Sequence, residues 1–313
     1  MSHRISAIVP TIGRAESLAT LLAALAAQTR RPDEVVVADG STNQAVRAVA
    51  DDPRWPAAGL AVRYVHVLPP HAVRQRQAAI AEATGSLLLL LDDDVVPEPG
   101  CVAAMLVALE PSDVVAVTAD FSNQPWAGPT TMWRWVLRYL YGCADGAWQG
   151  RVIGPLLRFG YRPSPAAVMP MEWLGSGNSL LRRDAYERAG GFSPFFLHRS
   201  TMNEDVDLGL KLGRIGRIVL APAARMAHMH APSGRVSALT AAEDDLYNRY
   251  AILRVTMGRP AIVAFAIVCG FFAIETLSNI GGSLWRAEWR GFGDRLGGRL
   301  RALVRIVAAR AGS

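Results

Sequence analysis

The chain has 313 residues, 51% hydrophobic and 19% charged, which suits one large domain with additions, or two domains. Its net charge of +6 is a tail property: residues 286–313 hold seven arginines against Glu288 and Asp294, a net +5, so the rest is near neutral and offers no basic groove for nucleic acid. Cys101, Cys143 and Cys269 form neither a zinc spacing nor a disulfide framework, which fits a reducing cytoplasm, and the opening residues lead directly into a strand rather than a signal peptide.

The first 120 residues alternate. Strands are predicted at Ile5–Val9, Glu34–Ala38, Val62–Val67, Leu87–Leu91 and Val114–Thr118. Between them lie helices at Glu16–Gln28, Gln44–Ala50, Arg74–Ala83 and Gly100–Leu109. In the first helix Leu18, Leu21, Leu22 and Leu25 share a stripe. This rhythm implies a doubly wound, mostly parallel sheet. No G-x-G-x-x-G follows the first strand, which argues against a dinucleotide-binding domain; Gly175–Leu180 begins like that motif but lacks the third glycine and reads as a loop.

Leu87–Leu91 is a continuous apolar run, as expected for a central strand buried on both faces. It ends in Asp92-Asp93-Asp94, at the strand end where such sheets bind ligands. Three adjacent carboxylates repel one another, and a divalent cation would relieve them and attract phosphate.

Residues 121–172 are rich in Trp, Pro and Gly, with Trp126, Trp133, Trp135, Tyr139, Tyr141 and Trp148 close together. Mixed α/β sequence resumes from Trp173 to about Pro222. Trp173 suits equally a wall against which a sugar or lipid acceptor packs and a core tryptophan. His228 and His230, two apart on an extended segment, point to one side.

Five separated pieces then form a pattern. They are Val35–Asn43 with Asp39, Arg76–Gly85, the aspartate triplet, Gly175–Arg183 followed by Gly190-Gly191-Phe192, and Asn203-Glu204-Asp205-Val206-Asp207-Leu208. Together they resemble family 2 glycosyltransferases of the GT-A fold over about residues 5–235. The resemblance implies a nucleotide-sugar site made by Pro10, Thr11, Asp39, Arg76, Asp92 and Asp93. It implies a divalent metal, Mn2+ or Mg2+, held by Asp94 and His228. Asp205 becomes the catalytic base, and Trp173, Gly175, Asn178 and Glu204 the acceptor side. Ala38, Gln77 and Ala79 depart from the family's usual residues.

A metal at Asp94 would stabilise a leaving nucleoside diphosphate, and a base would take the acceptor hydroxyl's proton. One carboxylate without a nucleophilic partner implies single displacement with inversion. The expected activity is inverting transfer from a nucleotide-sugar to a lipid-linked or cell-envelope glycan acceptor. The alternatives are a silent membrane-bound scaffold on the same fold, or a haloacid-dehalogenase-like phosphatase. The latter is disfavoured because the aspartates end the fourth strand and Lys211 is the sole lysine.

The expected domain spans 1–240, a nucleotide half to about 120 and an acceptor half beyond, followed by a helical region at 241–313. Ala261–Ile274 is an apolar run opened by Pro260 and followed by Glu275, whose burial in lipid would be costly. Trp285, Trp289, Phe292, Leu296, Leu300, Leu303 and Val307 then form an apolar stripe, with Arg286, Arg290, Arg295, Arg299 and Arg305 outside it. This reads as helices lying in the plane of the cytoplasmic face of a bacterial inner membrane, the alternatives being a single span or an ordinary buried helix with a solvated tail.

Overall fold

The computed structural model describes residues 3–124, 128–161, 163–198, 201–230, 236–286, 289 and 291–311. Trp126, Arg290 and the side chains of Trp285 and Arg286 lie outside that description. The first stretch runs β1 (Ile5–Thr11), α1 (Ala15–Ala26), β2 (Glu34–Asp39), α2 (Ala45–Ala50), α3 (Arg54–Ala57), β3 (Val62–His66), α4 (Ala72–Glu82), β4 (Leu87–Leu91), β5 (Val95–Pro97), α5 (Cys101–Leu109) and β6 (Val114–Phe121). Then come α6 (Thr131–Tyr139), β7 (Val152–Ile153), β8 (Leu157–Arg158), β9 (Met169–Met171), β10 (Asn178–Arg182), α7 (Arg183–Arg188), α8 (Glu204–Leu212) and β11 (Arg217–His228). Helices α9 (Ala238–Ala251), α10 (Ala261–Arg286) and α11 (Phe292–Ala311) complete the chain.

One sheet runs β3-β2-β1-β4-β10-β6-β11-β5, with β9 on β11. Strands β1 to β4 pair in parallel, while β10 lies antiparallel to both β4 and β6. The leucine strand explains its own composition. Leu88 and Leu90 enter the core under α4 and α8, whereas Leu87, Leu89 and Leu91 enter the core under α1 and α5, and all five are at most 1% exposed. Chain order reverses between β1 and β4, so their carboxyl ends frame a crevice.

The two expected halves do not divide at residue 120, because β10 from the second half is a central strand of the shared sheet. The C-terminal helices are also built into the body. Leu246, Ala264, Val268, Phe271, Ala302 and Ile306 all belong to the core that holds Leu88 and Leu90. At Gly298 a Cβ would come 2.2 Å from the Leu239 carbonyl oxygen, so only glycine lets α11 lie this close to α9.

The expected stripe on α11 is therefore corrected. Gly298, Arg299, Ala302 and Ile306 face inward, while Leu300, Val304 and Val307 stay exposed. Arg299 pairs with Glu275 at 3.2 Å, and Arg305 lies 3.8 Å from Glu243, so neither is on a free polar face. Tertiary packing on α9 outweighs the amphipathic pattern of α11 alone. Residues Ala261–Gly281 of α10 have a mean hydropathy of 2.1, only Ala264, Val268 and Phe271 among them are buried, and the segment is long and apolar enough to cross a membrane.

Candidate active site

A cleft of about 350 Å3 opens at the carboxyl ends of β1 and β4. Of the residues expected there, Pro10, Thr11, Arg76, Asp92, Asp93, Asp94, Glu204 and His228 line it, joined by Arg14, Gln75, Ser176 and His230.

Each aspartate of the triplet has its own partner. Asp92 accepts from Arg76 Nη2 at 2.6 Å. Asp93 accepts from Thr11 Oγ1 at 2.6 Å and from Arg14 Nη1 at 2.9 Å. Burial pushes the Asp93 carboxyl above its ordinary range, against the pull of Thr11 and Arg14. Asp94 lies 3.3 Å from His228 Nε2 and 3.6 Å from Arg14. The loop before β10 is pressed onto this strand end: a Cβ on Gly177 would fall 2.2 Å from an Asp92 carboxylate oxygen.

The acid pair opens α8, where the helix dipole favours carboxylates. Glu204 Oε1 accepts from Ser176 Oγ at 2.9 Å and Arg76 Nη1 at 3.3 Å, so Arg76 spans from Asp92 to Glu204. Burial, then the neighbouring Asp205 charge, pushes the Glu204 carboxyl up to about 7. Asp205 accepts from Arg158 Nη1 at 2.7 Å and from the Val206 N–H at 2.8 Å, and does not line the cleft.

The donor set suits a small divalent ion. Ligands at right angles with bonds of about 2.1 Å sit about 3 Å apart, close to the Asp94–His228 spacing of 3.3 Å. Among the described residues no group of three or more His, Cys, Asp or Glu is placed to hold a metal, so the remaining positions would fall to substrate oxygens or water.

Besides Asp205, four of the expected residues do not line the cleft. Asp39 is fully buried, accepting from the Ser41 N–H at 2.8 Å and Tyr64 O–H at 2.9 Å. Trp173 is 1% exposed with its indole N–H on the Phe159 carbonyl at 3.1 Å, a core residue rather than a wall. Asn178 is 1% exposed and donates to the Ala119 carbonyl at 2.7 Å, fastening β10 to β6. Gly175 is confined by that asparagine, since a Cβ there would lie 1.8 Å from Asn178 Oδ1. Arg14, Ser176 and Arg158 were not singled out in the sequence. Arg14 follows Gly13 in the turn after β1, and Arg158 sits on a two-residue strand without periodicity.

A model of the family described as "Glycosyl transferase family 2" matches residues 6–188, more than half of the chain. The chain belongs to this family. It is 28% identical over 283 residues to the O-antigen biosynthesis protein RfbC of Myxococcus xanthus, an alignment covering 85% of this chain. The chain spans only about a fifth of that relative, 21% of its length. It is 26% identical over 251 residues to the N-acetylglucosaminyl-diphospho-decaprenol L-rhamnosyltransferase of Mycobacterium tuberculosis, covering 74% of this chain and 78% of the relative. The mannosyltransferase PcManGT of Pyrobaculum calidifontis, solved with GDP-Man and Mn2+, superposes with a TM-score of 0.59 at 17% identity, covering 99% of this chain and 88% of that one. The fold is GT-A, and the chain is a glycosyltransferase of family 2.

Proposed function

We propose that this chain transfers a sugar from a nucleotide-diphosphate donor to a cell-envelope glycan acceptor, lipid-linked, in one inverting displacement assisted by a divalent metal. The observation that carries this is one cleft lined by Asp94, His228 and Glu204, with Asp205 following Glu204 in the first turn of α8. Asp94 and His228 would hold the metal, which supplies Lewis-acid stabilisation of the departing diphosphate. Arg14 and Arg76 add positive charge beside the same aspartates. Asp205 receives the acceptor proton by family resemblance. A second reading gives that role to Glu204, favoured because it faces the cleft and is poised at about 7. The names of the O-antigen and rhamnosyl relatives support an envelope acceptor.

The reading extends to the inner membrane's cytoplasmic face. Phe271 and Glu275, midway along α10, contact Trp133 on α6, by ring stacking at 5.9 Å and a hydrogen bond of 2.6 Å. A helix standing across a bilayer would have lipid at that level, so an in-plane α10 fits these contacts better. The test incubates the purified full chain with Mn2+, source-cell membranes and a radiolabelled panel of UDP-, GDP- and dTDP-sugars. The expected result is label in the membrane glycan with release of nucleoside diphosphate. Absence of transfer from every donor, with no binding of UDP, GDP or dTDP, would overturn it and leave a silent scaffold.

A further inference from the structure

A partly buried polar chain links the C-terminal helices to the acid pair. Asn203, directly before Glu204, has φ of 71°, in the left-handed region where a residue with a side chain is held by its surroundings. Its Nδ2 donates to Asp245 Oδ1 on α9 at 2.8 Å. Its carbonyl accepts from the Asp207 N–H at 3.0 Å, which starts α8. Its Oδ1 accepts from Arg158 Nη1 at 3.4 Å, and the same nitrogen donates to Asp205 at 2.7 Å.

Asp245 is itself fixed. Arg249 Nε reaches both of its oxygens at 3.1 Å, and Arg249 Nη1 donates to the Leu156 carbonyl at 2.9 Å, two residues before Arg158. Burial works to raise the Asp245 carboxyl, yet Arg249, Asn203 and the charge of Arg299 hold it below its ordinary range. Arg299 on α11 pairs with Glu275 on α10. Hydrogen bonds therefore run from α9 to the turn that starts α8, and Arg299 on α11, tied to Glu275 on α10, adds its charge beside Asp245.

We infer that Asn203 is a positioning residue for Glu204 and Asp205, set by Asp245, so that docking of α9, α10 and α11 assembles the acid pair. The inference rests on the proposed glycosyl transfer for its kinetic arm alone. A merely structural Asn203 would affect stability and leave the split between kcat and KM alone. Glycine adopts φ near 71° without cost and alanine does not, so the pair of substitutions separates backbone positioning from loss of the side chain.

The test uses full-length N203A, N203G, D245A and the N203A/D245A double variant. With the donor turned over by the wild type, N203A is expected to lose kcat about tenfold or more while donor KM stays within about threefold, and N203G to recover most of that loss. The double variant should be no worse than the poorer single one, the mark of two residues acting as a unit. Hydrogen exchange at the Val206–Leu208 amides is read in parallel and needs no substrate. It should quicken in N203A and D245A and return towards wild type in N203G. Wild-type exchange and kcat in N203A, or losses that multiply in the double variant, would overturn the inference. Failure of the wild type to turn over any donor would sink the transferase reading alone, leaving the exchange arm to decide the coupling.

Discussion

Asp94, in the turn between β4 and β5, and His228, at the end of β11, are brought together by sheet register. His228 pairs with Val95 across the β11–β5 ladder, and the Met229 N–H donates to the Asp94 carbonyl at 2.8 Å. Backbone pairing thus sets the 3.3 Å approach of Oδ1 and Nε2. Asp94→Asn is expected to abolish metal-dependent donor binding while the fold survives, and His228→Ala to weaken it more than His230→Ala. Calorimetry with UDP and Mn2+ measures both; wild-type affinity in the Asp94 variant rules out that ligand.

The two members of the acid pair separate by kinetics. Asp205→Asn should hold donor affinity near normal and reduce turnover by about 10²–10⁴-fold, as for loss of a general base. Glu204→Gln should fall less, because Ser176 can still donate to the amide oxygen. If the Glu204 variant is the more damaged, the base belongs there.

Stability carries a separate signature of Glu204. A carboxyl raised from 4.5 to about 7 in the folded state binds a proton that the unfolded chain has already released. Its contribution is fully present below about pH 4.5 and is lost as pH rises through about 7. The melting temperature of the wild type should therefore fall relative to Glu204→Gln between pH 5 and pH 8, by roughly a few degrees. Parallel melting curves across that range would remove the assignment.

Gly177→Ala tests the loop that presses on the triplet. The added methyl meets the Asp92 carboxylate, which must then shift and disturb its 2.6 Å bond from Arg76. Donor affinity should drop at least tenfold, with a loss of stability on the order of 1–3 kcal/mol from overpacking. Titration of the purified variant with UDP and Mn2+ reads the first effect, and urea unfolding the second.

For the membrane arrangement, Leu300 is a suitable reporter because it is 47% exposed on α11. A Leu300→Cys variant in a Cys269→Ala background should resist an impermeant thiol reagent in intact cells and react once the cells are opened. Labelling from outside contradicts an in-plane helix on the cytoplasmic face.

Much of this was legible in the sequence where one physical pattern dominates. Nine of the eleven elements through β6 follow from apolar periodicity, the short α3 and β5 being the exceptions, and the leucine strand could only be buried on both sides. The aspartate triplet and the acid pair were legible because charge beside dry sequence demands a reason. The direction a side chain faces was not. Trp173 and Asn178 adjoin the cleft in sequence yet satisfy their polar atoms inside the core, through carbonyls of Phe159 and Ala119 that only the fold brings near. Arg299 looked like a solvated charge because its partner Glu275 lies 24 positions earlier, on another helix.

The place of β10 in the sheet has a consequence for biosynthesis. By the time residue 121 has left the ribosome, β4 and β6 both exist, but the strand that joins them ends at Arg182. Until then each strand keeps an open hydrogen-bonding edge beside a row of valines or leucines, the kind of surface on which nascent chains adhere to one another. The tryptophan-rich stretch between β6 and β10 is thus also an interval in translation during which those edges stay open.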